Sequence, residues 1–198
     1  MKKEVLVAPT RVANLASVLS ALERVGVSPR VARFPEEVVG CERLVLPGVG
    51  ALGAAVNLLK RQELWSALRE RLRRGKPTLA ICLGMQLLCA SSRESPGEEG
   101  LALVPEVVRR FGSGVRVPHL GWNRVEPEEG CRYLERGWAY FAHSYRLEKA
   151  PAGFKSAWSE HGGRFVSALE RDGLLACQFH PELSGEYGAR LLERWLTW

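Results

Sequence analysis

No apolar run in this 198-residue sequence approaches the roughly 20 residues a helix needs to cross a bilayer. No membrane segment is therefore expected. The amino-terminal Val5–Leu6–Val7–Ala8 run is too short for a signal peptide and is followed by Pro9, so a first strand and a cytoplasmic location are expected. The five cysteines (Cys41, Cys82, Cys89, Cys131 and Cys177) are odd in number, scattered, and never spaced as Cys-x-x-Cys. That argues against a disulfide framework and against a zinc site. The one dense basic stretch, residues 69–76, has no aromatic side chains interleaved for base stacking, and it ends a helical pattern. A solvated helix end, where cations meet the negative end of the dipole, explains it better than a nucleic-acid surface does. The net charge of +6 then points to an anionic substrate or an acidic partner. Repeats, low-complexity tracts and linkers are also missing, so one domain over residues 1–198 is expected.

What is present is an ordinary globular composition, 46% hydrophobic and 25% charged. The first half alternates strand and helix. Strands are expected at 5–8, 29–33, 44–46 and 78–81, with helices at 12–25, 52–60, 64–74 and 84–90. Such alternation predicts an α/β fold, a parallel sheet covered by helices on both faces. The second half carries short strand patterns at 104–111, 138–141, 154–158, 165–169 and 174–179, separated by Gly, Pro and charged turns. They read as hairpins added to the sheet. A last helix over 186–196 places Tyr187, Leu191, Leu192 and Trp195 on one side.

Chemistry concentrates in two segments. In Thr78-Leu79-Ala80-Ile81-Cys82-Leu83-Gly84-Met85-Gln86 a buried strand runs straight into a helix, with Cys at the junction. That is the layout of a nucleophile elbow, which projects a reactive side chain above the sheet and needs small flanking residues, here Ala80 and Gly84. A helix start favours the thiolate, and backbone N–H groups there can hold an oxyanion. An unreactive core thiol is the alternative. The second segment, Ala176-Cys177-Gln178-Phe179-His180-Pro181-Glu182, ends an apolar strand on a base and a carboxylate. A thiol nucleophile needs a base, and the base needs an orienting group. Cys82, His180 and Glu182 thus form a candidate Cys-His-Glu triad.

Together with Leu46-Pro47-Gly48-Val49-Gly50, these segments resemble the class I glutamine amidotransferases, and the likeness runs along essentially the whole chain. It implies a flavodoxin-like three-layer sandwich and glutamine hydrolysis, with no cofactor and no metal ion. It also implies an oxyanion hole from Gly50 and the N–H of Leu83, and glutamine contacts at Gln86, Glu94, Ser144 and Tyr145. Val117-Pro118-His119-Leu120-Gly121-Trp122-Asn123 and Tyr140-Phe141-Ala142-His143-Ser144-Tyr145 are similar to segments of the glutaminase subunits of imidazole glycerol phosphate synthase. That likeness implies a heterodimer with a (β/α)8-barrel cyclase, Trp122 near the face where ammonia leaves, and a role in histidine biosynthesis. Core packing remains an alternative for Trp122 and Tyr140, and His119 and His143 receive no catalytic role. A glutaminase serving another synthase, such as anthranilate synthase, or a non-catalytic scaffold of the same fold, are the competing readings. The usual Asp-Tyr-Gly-x-Gly-Asn after the family's first strand is replaced by Ala8-Pro9-Thr10-Arg11-Val12-Ala13-Asn14, where only Asn14 matches.

Overall fold

In a computed structural model, which describes residues 3–10 and 15–197, the apolar runs of the first half become strands and the amphipathic segments become helices. In order these are β1 (Glu4–Val7), α1 (Leu15–Arg24), β2 (Ser28–Val31), α2 (Pro35–Gly40), β3 (Leu44–Leu46), α3 (Leu52–Arg61), α4 (Leu64–Arg73), β4 (Thr78–Ile81) and α5 (Leu83–Leu87). The second half adds β5 (Cys89–Ser92), β6 (Val104–Arg110), β7 (His119–Pro127), β8 (Gly137–His143), β9 (Tyr145–Arg146), β10 (Lys155–Glu160), β11 (Arg164–Arg171), β12 (Leu174–Cys177) and α6 (Gly185–Thr197). Asn14 and the start of the expected 12–25 helix lie outside the described residues.

One nine-stranded sheet runs in the order β2-β1-β3-β4-β12-β11-β10-β7-β8. Its first five strands pair in parallel and the rest antiparallel. The parallel part has the flavodoxin-like order, in which ligands bind beyond the carboxyl ends of the strands. A small sheet, β5-β6-β9, stands apart. Alternate residues of the central strands feed two cores: Leu46, Ala80 and Ala176 face one, while Val45, Ile81 and Cys177 face the other. Burial on both faces is why β3, β4 and β12 read as continuous apolar runs. Among the described residues no helix is long and apolar enough to cross a membrane.

Three expectations need correction. The helix over 84–90 stops at Leu87, because amides of residues 100–104 take the carbonyls of Leu87, Leu88, Cys89 and Ala90. This close approach requires Gly100, since a Cβ there would sit 2.0 Å from the Cys89 oxygen. The basic stretch 69–76 is not uniformly solvated: Arg71 is wholly buried and donates to the carbonyls of Val38, Cys41, Glu42 and Pro77 and to the Thr78 hydroxyl. Strand β7, nine residues long, has no counterpart among the expected strands. Its core-facing positions are His119, Gly121, Asn123 and Val125, so the apolar alternation that marks a half-buried strand is missing.

Candidate active site

At the carboxyl end of β4, Cys82 has φ 53° and ψ −108°, a region that costs a non-glycine residue on the order of 1–3 kcal/mol. The surroundings hold it there. The Cys82 N–H donates to the carbonyl of Cys177 at 2.7 Å, and the Leu83 N–H to that of Gly48 at 3.2 Å. Gly84 must be glycine, because a Cβ would lie 2.1 Å from the Leu46 oxygen; one on Gly48 would lie 2.8 Å from the Gly84 nitrogen. The glycine turn after β3 thus lies directly on the elbow. Burial pushes the other thiols up: Cys131 to about 11, Cys89 to about 12, and Cys177 and Cys41 in the same direction.

His180 follows β12, the strand parallel to β4, so it arrives beside Cys82. Its Nδ1 lies 2.8 Å from Glu182 Oε1, and the ring stands close enough to Cys82 for the two side chains to interact. Burial alone lowers the imidazole pKa, but hydrogen bonds to Cys82 and Glu182 and the charges on both outweigh it and raise it to about 10. Backbone bonds brace this turn. The His180 N–H donates to the Tyr140 carbonyl, while the Ser184 hydroxyl donates to the His180 carbonyl and accepts from the Tyr140 N–H. Helix α6 then packs against the turn so closely that a Cβ on Gly188 would lie 1.8 Å from the Pro181 oxygen.

In front of the sulfur is a cavity of about 240 Å³ lined by Gly50, Cys82, Leu83, Gln86, Glu94, Ser144 and Tyr145, among others. All the residues expected at a glutamine pocket meet there. His180 and Glu182 stand outside this lining. A larger cavity, about 570 Å³ between Lys3, Val25 and Leu196, contains none of these residues. Glu94 accepts the Leu52 N–H at 2.9 Å, which fixes the start of α3 just after the glycine turn. Gln86 uses both amide hydrogens inside the protein, on the Tyr145 carbonyl at 3.2 Å and on Gln178 Oε1 at 3.0 Å. Only its carbonyl oxygen is left to meet a ligand.

The side chains that sequence reasoning left without a role form a second network. His143 Nδ1 lies 2.8 Å from the Tyr145 carbonyl, His119 Nδ1 lies 3.0 Å from His143 Nε2, and Asn123 Nδ2 lies 3.1 Å from His119 Nε2. The Tyr145 carbonyl only accepts, and Asn123 Nδ2, which also donates to the Glu160 carbonyl, only donates, so every tautomer in the series is fixed and both imidazoles are neutral. Burial accordingly lowers His119 to about 4 and His143 to about 3. Trp122 is 54% exposed, which overturns the core-packing alternative. On the same outer face stand Leu120, Tyr140 and Trp138, as the β7–β8 register requires. Sequence reasoning also missed Gln178, whose signal was a polar side chain inside the apolar run 174–179.

Solved structures with TM-scores of 0.78 are a glutamine amidotransferase, 21% identical and covering 97% of both chains, and PurLQS from Thermotoga maritima, 18% identical and covering 100% of this chain and 99% of that one. At such identity they speak for the fold alone. The imidazole glycerol phosphate synthase subunit HisH of Symbiobacterium thermophilum is 42% identical over 92% of this chain and 88% of its own length. The same subunit from Escherichia coli (strain K12) is 40% identical over 97% and 98%. The family model for glutamine amidotransferase class-I matches residues 12–197, and the chain belongs to that family.

Proposed function

We propose that the chain is the glutaminase subunit of an imidazole glycerol phosphate synthase, a single amidotransferase domain working in the cytoplasm. The observation that carries the reading is Cys82 held at a strained elbow beside a His180 that interacts with it and that Glu182 orients. Kinship of about 40% with HisH subunits over nearly the full chain selects this synthase over anthranilate synthase. A scaffold would have no use for the strain at Cys82. Five free thiols suit a reducing compartment.

Glutamine enters the cavity with its ammonium group toward Glu94 and the Gln86 carbonyl oxygen, and with Ser144 and Tyr145 along its side. The Cys82 thiolate attacks the side-chain amide carbon, and the N–H groups of Gly50 and Leu83 take the oxyanion. His180 gives its proton to the departing ammonia, which leaves a glutamyl thioester. It then takes a proton from water, hydroxide attacks the thioester, and glutamate is released as the thiolate re-forms. Glu182 holds the ring in one orientation throughout. The Leu83 N–H is bonded to the Gly48 carbonyl, so the Gly48–Val49–Gly50 turn must rotate that carbonyl away before the oxyanion can be received.

Ammonia passes to a (β/α)8-barrel cyclase docked on the outer face of β7 and β8. There it joins a phosphoribosyl-substituted aminoimidazole carboxamide precursor, giving imidazole glycerol phosphate and an aminoimidazole ribonucleotide for histidine biosynthesis. A glutaminase assay with and without the cyclase and its substrate tests the reading. Turnover is expected to need the liganded partner and to vanish in Cys82→Ala. Full turnover by Cys82→Ala in the complex would overturn the nucleophile, and equal turnover without the partner would overturn the gating turn.

A further inference from the structure

Among the described residues the sulfur of Cys82 has three polar neighbours, and they do not favour the same protonation state. The Ala142 carbonyl, 4.0 Å away, can only accept and so favours the thiol. His180, as an imidazolium, favours the thiolate. The third neighbour is Gln178 Nε2 at 3.7 Å, on a side chain that is 1% exposed. Nothing about the triad requires a glutamine there, and Leu174, Leu175 and Phe179 show that the strand otherwise takes apolar groups.

The orientation of Gln178 follows from a chain of constraints. The Tyr145 carbonyl accepts and cannot donate, so the nitrogen of the Gln86 amide must face it. The second hydrogen on that nitrogen points at Gln178, whose oxygen must therefore receive it. Among the described residues the NH2 group of Gln178 then has one partner, the sulfur. Reversing the amide would set two oxygens or two NH2 groups against each other in a buried site, at a cost of about 1–3 kcal/mol for each unmet group. The Tyr145 carbonyl also receives His143 Nδ1, so the same peptide anchors both buried networks.

We propose that Gln178 is a positioning residue of the glutaminase reaction, a neutral N–H donor aimed at the sulfur that offsets the Ala142 carbonyl and keeps the thiolate aligned for attack. The inference rests on the reading of Cys82 as the nucleophile. Full-length chain, alone and with the cyclase, is to be compared as wild type, Gln178→Met and Gln178→Glu. The readouts are the pH profile of Cys82 alkylation by iodoacetamide, followed by mass on the peptide that holds it, then kcat and KM, and the unfolding midpoint.

Gln178→Met is expected to move the alkylation profile to higher pH and to lower kcat roughly tenfold, the size of one lost hydrogen bond to a charged acceptor. Gln178→Glu still accepts from Gln86 but turns an ionised oxygen toward the sulfur, so kcat falls further than in Gln178→Met. A purely structural role predicts the opposite order, because the glutamate variant keeps the Gln86 bond. Gln86→Met removes the anchor and leaves the donor in place. It shifts the profile in the same direction by a smaller factor, and this stands as the test should neither variant at 178 fold. An alkylation profile in Gln178→Met identical to wild type, or a milder defect in Gln178→Glu, overturns the proposal. A wild-type Cys82 that shows no glutamine-dependent chemistry in the complex is a different failure, which removes the nucleophile itself.

Discussion

Histidines in this protein act on stability with opposite signs. His180 binds its proton more tightly folded than unfolded, since its pKa of about 10 exceeds the ordinary value near 6.5. Its contribution is complete below about pH 6.5 and disappears as the pH climbs through about 10. His119 and His143 are held neutral, at about 4 and about 3, so their contribution is present above about pH 6.5 and is lost as the pH falls below it. Thermal unfolding measured from pH 5 to 10 should separate them. His180→Asn is expected to flatten the alkaline decline and leave the acid side alone, whereas His119→Gln with His143→Gln flattens the acid decline. At the same scale, Gly84→Ala should destabilise the fold by about 1–3 kcal/mol through overpacking, because its Cβ would meet the Leu46 oxygen at 2.1 Å. Denaturant unfolding checks this.

Helix α6 offers a sharper test at the level of elements, because two effects compete at Gly188. Helix propensity alone says that Gly188→Ala stabilises by about 1 kcal/mol. A Cβ 1.8 Å from the Pro181 oxygen says that the helix must lift from the turn that carries His180 and Glu182. The steric effect is expected to win: the unfolding midpoint drops and glutaminase activity falls at least tenfold, as measured in the complex. The elements that build this site differ in how plainly the chain spells them. β4, β12 and the residues that end them are legible because a strand buried on both faces is a run of apolar residues that stops where the chemistry begins. β7 is not, because its inward positions hold His119, Gly121 and Asn123, and the two polar side chains are tied by hydrogen bonds to His143 and the Glu160 carbonyl, 24 and 37 positions away. Gln178 was hidden for the same reason: its partners Gln86 and Cys82 lie 92 and 96 positions away. The short α5 likewise depends on amides of residues 100–104 that no local pattern announces.

At the scale of the whole molecule the two edges of the sheet are unlike. The β2 edge carries the ion pairs of Arg30 with Glu4 and Glu37, charged cover of the kind that discourages pairing. At the other edge, the β7–β8 hairpin turns Leu120, Trp122 and Trp138 outward at 61%, 54% and 56% exposure. This face is also wired inward. Tyr140, opposite Trp122 in the register, accepts the His180 N–H, and Asn123, beside Trp122, heads the series that reaches the Tyr145 carbonyl. A partner seated on Trp122 therefore presses on strands that hold both the base and the pocket wall. Buried aromatic anchors commonly carry about 2 kcal/mol or more of an interface, so Trp122→Ala should weaken cyclase binding roughly thirty-fold. The unfolding midpoint should barely change, because the ring is half exposed. Phe34, 60% exposed beside β2, supplies the control: Phe34→Ala removes an equally exposed aromatic from the far edge and should leave the affinity where it was. Titration calorimetry of both variants against the cyclase decides the matter, and equal losses from the two would mean that the partner does not dock on the hairpin.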